Sequence, residues 1–133
     1  MISCILLIDD DVITNFINVR LLKKMAISEE VNVVLNGEEG LIYLHTYIEK
    51  HKCYPELILL DINMPVMDGF HFLEELKKMK SFDFSKTHIA ILSTSTAERD
   101  KEKASQLNIH YQLYKPLTEE KIRSLLIQMN LQV

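Results

Sequence analysis

The chain has 133 residues, a length that suits one domain with a real hydrophobic core. Hydrophobic residues make up 47% of it, which excludes an intrinsically disordered chain, and the net charge of -4 argues against direct nucleic-acid binding. No apolar run approaches the ~20 residues of a membrane span, and the start meets Asp9 too soon for a signal peptide. The two cysteines, Cys4 and Cys53, form no CxxC and no metal-type spacing, so a disulfide framework is not expected and the expected location is cytoplasmic. Without linker, repeat or low-complexity segment, residues 1–133 read as a single domain with no output domain.

Ser3 to Ile8 is a nearly continuous apolar run, as in a strand covered on both faces, and it ends in Asp9-Asp10-Asp11. Asp11 suits the cap or first turn of a helix that carries Ile13, Phe16, Ile17, Leu21 and Met25 on one apolar face. Val31 to Leu35 reads as the second strand, broken by Asn36-Gly37. Glu38-Glu39 then open a helix with the stripe Leu41, Leu44 and Ile48, on which His45 is expected as a partly buried structural residue. Leu57 to Leu60 is the third strand, and it ends in Asp61. Asp68 caps the third helix, whose stripe is Phe72, Leu73, Leu76 and Met79. A slightly long polar loop, Ser81 to His88, carries Phe82 and Phe84. The fourth strand, Ile89 to Leu92, ends in Ser93-Thr94. The fourth helix, Glu98 to Leu107, has little apolar surface beyond Ala104 and Leu107 and is expected to pack least firmly. His110 to Tyr114 is more polar, as an edge strand can be, and runs into Lys115-Pro116. Thr118 caps the last helix, with Glu119-Glu120 in its first turn and Ile122, Leu125, Leu126 and Met129 inward.

Strands alternating with helices imply a parallel sheet covered on both faces. Right-handed crossovers bring every strand's carboxyl end to one edge, where ligand sites of open sheets lie. Asp9, Asp10, Asp61, Ser93 and Lys115 all fall there. Taken singly, an acid at a strand end is a helix cap and a lone lysine is solvated. Their coincidence at one edge is what needs chemistry. Clustered carboxylates are unfavourable without a cation, and oxygen donors suit a hard one, Mg2+ above all. Asp9, Asp10 and Asp61 could supply carboxylates, and the backbone carbonyl of Asn63 could complete the set. One carboxylate could instead act as a nucleophile towards a phosphoryl group, with Lys115 and Ser93 offsetting the transferring charge.

The segments Leu7-Ile8-Asp9-Asp10, Asn36-Gly37-Glu38-Glu39, Leu60-Asp61-Ile62-Asn63-Met64-Pro65-Val66-Met67-Asp68-Gly69, Ile91-Leu92-Ser93 and Tyr114-Lys115-Pro116-Leu117 together resemble a receiver domain of the two-component response regulators. The resemblance spans residues 3–130. It implies an α/β, flavodoxin-like, doubly wound sheet of five parallel strands in order 2-1-3-4-5 with five helices. It also implies that Asp61 is the phosphoacceptor, that Asp9 and Asp10 with Asp61 and the Asn63 carbonyl bind Mg2+, and that Ser93 and Lys115 contact the phosphoryl group. Pro116 matches a proline usually joined by a cis bond. The implied phosphodonor is a sensor histidine kinase or a histidine phosphotransfer protein, and the output goes to a downstream protein that the sequence does not name. Nucleic acid and membrane are not expected as partners.

Two readings compete. One keeps the fold as an interaction module without chemistry. The other is a magnesium phosphatase with an Asp nucleophile, which would want a second Asp two residues on, where Asn63 stands. One departure from the family pattern matters more. An aromatic is usual three residues before the lysine, and here Gln112 stands between Tyr111 and Leu113. Gln112 is expected largely at the surface, with Tyr111 or Tyr114 as candidates to replace the aromatic.

Overall fold

A computed structural model, describing residues 1–94 and 98–131, alternates strand and helix along the whole chain. The elements are β1 (Ile2–Ile8), α1 (Val12–Met25), β2 (Ser28–Val34), α2 (Gly37–His51), β3 (Leu57–Asp61), α3 (Gly69–Lys78), β4 (His88–Ser93), α4 (Glu98–Gln106), β5 (Tyr111–Tyr114) and α5 (Glu119–Gln128). The strands pair in parallel as one sheet, in the order β2-β1-β3-β4-β5. This is the flavodoxin-like arrangement expected from the sequence.

Position in the sheet explains strand composition. β1 and β3 lie inside the sheet, with a helix layer on each face, and both are apolar and buried. β2 and β5 are the two edges and carry Glu29, Glu30, Asn32 and Gln112. Alternate residues face opposite sides. Leu6, Ile8, Ile58, Leu60, Ile89 and Ile91 meet Leu44, Phe72, Leu76 and Ala104 from α2, α3 and α4. Ile5, Leu7, Leu57, Leu59, Ala90 and Leu92 meet Leu22 of α1 and Ile122, Leu125 and Leu126 of α5.

The helix starts follow local chemistry. Side-chain oxygens of Asp11, Asn36, Asp68 and Thr118 accept hydrogen bonds from the first-turn N–H groups of α1, α2, α3 and α5. α4 is the least apolar helix. Ala104 is its buried residue, Leu107 just beyond its end is half-buried, and the Lys103 ammonium lies 4.9 Å from the Phe70 ring centroid. No helix among the described residues is long and apolar enough to cross a membrane.

Two expectations are corrected. On α1, Ile13, Phe16 and Ile17 point outward, at 72%, 63% and 57% exposure, while Asn15, Asn18 and Leu22 face the sheet. The helix phase is fixed by the Asp11 cap and by Asn15, whose amide donates to the Asp9 carbonyl at 2.8 Å. That bond turns Asn15 and Asn18 inward and Ile13, Phe16 and Ile17 out, while Leu21 and Met25 of the expected face are partly buried against the core. On α2, His45 is exposed and Tyr47 is buried. The inward row there runs Gly37, Gly40, Leu44 and Tyr47, because Gly40 sits against Ile8 and Phe72, where a Cβ would come within 3.0 Å of both. The helix approaches the sheet along its glycines and carries His45 to the outer side.

The inverted α1 makes a contrast that denaturation can read. Leu22→Ala is expected to cost about 2–4 kcal/mol. Phe16→Ser should change stability by less than about 0.5 kcal/mol. Urea unfolding of both variants checks the pair, and a large loss in the Phe16 variant would place that face in the core.

Candidate functional site

β1 and β3 are neighbours, with Ile8 paired to Leu60, so Asp9 and Asp61 leave the sheet side by side. Asp9, Asp10 and Asp61 each bring a carboxylate oxygen to within 4.8 Å of the others. Asp9 is fully buried, Asp61 is 8% exposed and Asp10 is open to solvent. Hydrogen bonds hold the acids in place. One Asp9 oxygen accepts the Asp11 N–H at 3.0 Å, and Asp61 accepts the N–H of Ile62 at 3.0 Å. Asn15, which the sequence reading passed over, ties the Asp9 backbone to α1.

Lys115 completes the cluster from the far side of the sheet. Its N–H donates to the Ser93 carbonyl at 2.8 Å, at the end of the β4–β5 ladder. Its ammonium lies 2.8 Å from Asp9 Oδ2 and 3.3 Å from Asp61 Oδ1. The Lys115–Pro116 bond is cis, as the family pattern implies. Ser93 is buried at the end of β4, paired with Tyr114 of β5. Strand alternation puts Ser93, Gln112 and Tyr114 on the α3–α4 side, whereas Tyr111 packs with the cluster under α1 and α5. Tyr111 is therefore on the wrong face to substitute for the family aromatic, and Tyr114 shares the face of Ser93. Gln112 is half-buried rather than largely at the surface, because its pairing opposite Ile91 covers part of it.

The loop after β3 is pinned against the site. Gly69 donates to the Ile62 carbonyl at 2.8 Å, and a Cβ on Gly69 would lie 2.5 Å from the Asp61 carbonyl oxygen. Gly37 donates to the Met67 carbonyl at 3.0 Å, which joins this loop to the start of α2. Between these anchors Val66 adopts φ 68°, with the Met67 N–H bonded to the Pro65 carbonyl at 2.7 Å. A β-branched residue is disfavoured there, so the loop is held by its anchors against local preference. Nothing in the sequence marks this, since glycine or asparagine would be the signal. Asn63 lies on the same loop, exposed to solvent.

The electrostatics follow from crowding. Burial first, then the charge of Asp9, pushes Asp61 up to about 6, against the opposing pull of Lys115. Burial works against the Lys115 charge, yet its bonds to Asp9 and the charges of both acids hold it above the ordinary lysine range. Asp11 instead sits low, because it accepts hydrogen bonds from Thr14 and Ile13, as a helix cap does. The cluster presents hard oxygen donors of the kind that hold Mg2+, with Asp10 on the solvent side.

These features define a class, and comparison with known proteins agrees. The chain belongs to the response regulator receiver domain family, whose profile matches residues 5–127. It is a signalling receiver and not a conventional enzyme. It is 30% identical to the response regulator Rcp1 of Synechocystis over 112 residues, covering 84% of this chain and 75% of that protein. It is 29% identical to two-component response regulator 24 of Arabidopsis thaliana over 128 residues, covering 96% and 84%. A two-component response regulator from Cytophaga hutchinsonii matches with a TM-score of 0.86 at 30% identity, with 97% of each chain covered.

Folding raises the Asp61 pKa from an ordinary 3.8 to about 6, so the folded chain holds that proton more tightly than the unfolded one. The stabilising contribution is full below about pH 4 and is lost as pH rises through about 6. Asp61→Asn, a neutral mimic, should therefore stabilise the metal-free protein by roughly 2–3 kcal/mol at pH 7. Near pH 4 the gain should vanish. Urea unfolding at several pH values in EDTA checks this, and a gain independent of pH would assign it to packing instead of charge.

Proposed function

We propose that the protein is a phosphorylation-activated response regulator receiver that accepts a phosphoryl group on Asp61 from a histidine kinase or histidine phosphotransfer protein. The observation that carries this reading is the placement of Asp61, buried at a strand end beside two further carboxylates and 3.3 Å from the Lys115 ammonium. The carboxylates of Asp9, Asp10 and Asp61 and the backbone carbonyl of Asn63 would hold Mg2+, which when bound offsets charge on the phosphoryl oxygens. An Asp61 oxygen forms the new P–O bond while the P–N bond to the donor imidazole breaks, and the electron pair returns to the ring nitrogen. Lys115 then pairs with a phosphoryl oxygen, and Ser93 donates its hydroxyl to another. In the return step a water oxygen bonds to phosphorus, the P–O bond to Asp61 breaks, its electron pair restores the carboxylate, and inorganic phosphate leaves with the water's two protons.

Phosphorylation replaces the single negative charge of the Asp61 carboxylate with roughly -1.5 to -2 on the phosphoryl oxygens, at a site that already strains against its own acids. The movement of Lys115 and Ser93 towards it shifts an existing equilibrium, read out on the α4–β5–α5 side. The output is docking to a partner or passage of the phosphoryl group onwards. The donor side is supported by α1. Val12, Ile13, Phe16 and Ile17 form an exposed apolar face that starts three residues after Asp9, where an incoming helical donor would reach Asp61. The free thiols Cys4 and Cys53 suit a reducing cytosol.

With acetyl phosphate and Mg2+, the wild type should gain one phosphoryl group by intact mass, and Asp61→Ala or excess EDTA should abolish the gain. Undiminished labelling of Asp61→Ala would sink the assignment. The α1 face separates donor docking from chemistry. Phe16→Ser should slow transfer from a phosphohistidine donor roughly tenfold and leave acetyl phosphate labelling unchanged. Equal loss with both donors would remove α1 from the docking role.

A further inference from the structure

Lys115 must bring an ammonium on a long, mobile stem into a buried acid cluster from the turn between β5 and α5. Its own N–H is fixed by Ser93, at 2.8 Å. The carbonyls on either side of it, those of Tyr114 and Pro116, converge on one group. Both accept hydrogen bonds from the Lys121 ammonium, each at 2.9 Å. Lys121 is half-buried, and its N–H is bonded to the Thr118 hydroxyl oxygen at 3.2 Å, so the stem rises from the anchored first turn of α5.

A cation is out of place in the first turn of a helix, where the dipole favours acids. The neighbouring Glu119 does not account for it, since that carboxylate is bound by Arg123 at 2.8 Å. What Lys121 gains in this position is two charge-assisted bonds that straddle Lys115. We infer that Lys121 is a positioning residue that buckles the β5–α5 turn and thereby aims Lys115 at Asp61. The inference rests on the proposed role of Asp61 and Lys115 in holding a phosphoryl group. It adds a residue that touches neither the acids nor the phosphoryl group.

The experiment measures beryllofluoride affinity in Mg2+ by amide NMR titration, for wild type, Lys121→Met, Lys121→Gln, Lys121→Arg, Lys115→Ala and the Lys115→Ala/Lys121→Met pair. Lys121→Met is expected to weaken binding roughly tenfold. Lys121→Arg should recover most of the loss, because it can still donate to both carbonyls. Lys121→Gln, with a neutral donor, should fall between and decides the matter if the Met variant does not fold. In the Lys115→Ala background, Lys121→Met should have no further effect, since nothing is left to aim. Wild-type affinity in Lys121→Met or Lys121→Gln overturns the inference. So does an undiminished loss on the Lys115→Ala background, which would make Lys121 a general support of the turn. A wild type that binds no beryllofluoride refutes the phosphoryl-site reading itself, and the inference falls with it.

Discussion

The structure turns on the repulsion between carboxylates that the sheet forces together. β1 and β3 are adjacent and parallel, so Asp9 and Asp61 emerge side by side from an apolar core that cannot screen them. Water reaches Asp10 but hardly reaches the other two. The remaining arrangement compensates. Lys115 comes across from the edge strand to stand between the acids, and backbone N–H groups of Asp11 and Ile62 take up carboxylate oxygens. Even so, Asp61 keeps an elevated proton affinity. A site under this tension responds strongly to any cation or phosphoryl group that changes its charge.

Much of this was legible in the sequence, and the reasons are physical. Interior strands of a parallel sheet must be apolar on both faces, so Ile5 to Ile8 and Leu57 to Leu60 announce themselves. The acids that follow them, and Ser93 and Lys115 after two other strands, lie at one edge whenever the crossovers share a hand. The caps at Asp11, Asp68 and Thr118 were equally plain. Helix phase was not. The row Ile13, Phe16 and Ile17 has the spacing of a core face, yet one hydrogen bond from Asn15 and the cap at Asp11 turn it outward. Periodicity records which residues share a face and is silent on which way the face looks. His45 illustrates the same limit, displaced by the close approach that Gly40 permits. The Val66 turn and the bonds of Lys121 depend on residues far apart in sequence or on backbone angles, and composition carries neither.

The side of the sheet that carries Ser93 has a different character from the opposite side. Under α5 and Leu22 of α1 the packing is apolar, and Tyr111 belongs to it, while nearer the acids α1 presents Asn15 and Asn18 to the sheet. On the α4 side, Ser93, Gln112 and Tyr114 line up where the family pattern has a large aromatic, and among the described side chains of α4 only Ala104 is buried. The cation–π contact of Lys103 with Phe70 supplements that thin packing and links α4 to the first turn of α3, directly after the loop that leaves Asp61.

The parallel sheet also divides the molecule lengthwise. Every group of the acid cluster sits at the carboxyl edge, while the segment Ser81 to Thr87 enters β4 at the opposite edge. There Tyr54, Phe82 and Phe84 meet tilted and edge-to-face in a small aromatic lid, with ring centroids 4.9 and 4.8 Å apart, and Thr87 donates to the Pro55 carbonyl at 2.9 Å. That lid seals its end of the core by itself, without help from the reacting end. Ser85 and Lys86, exposed between the lid and the buried Thr87, are consequently where an insertion, affinity tag or fused reporter would leave both Phe82 and the distant acid edge in place.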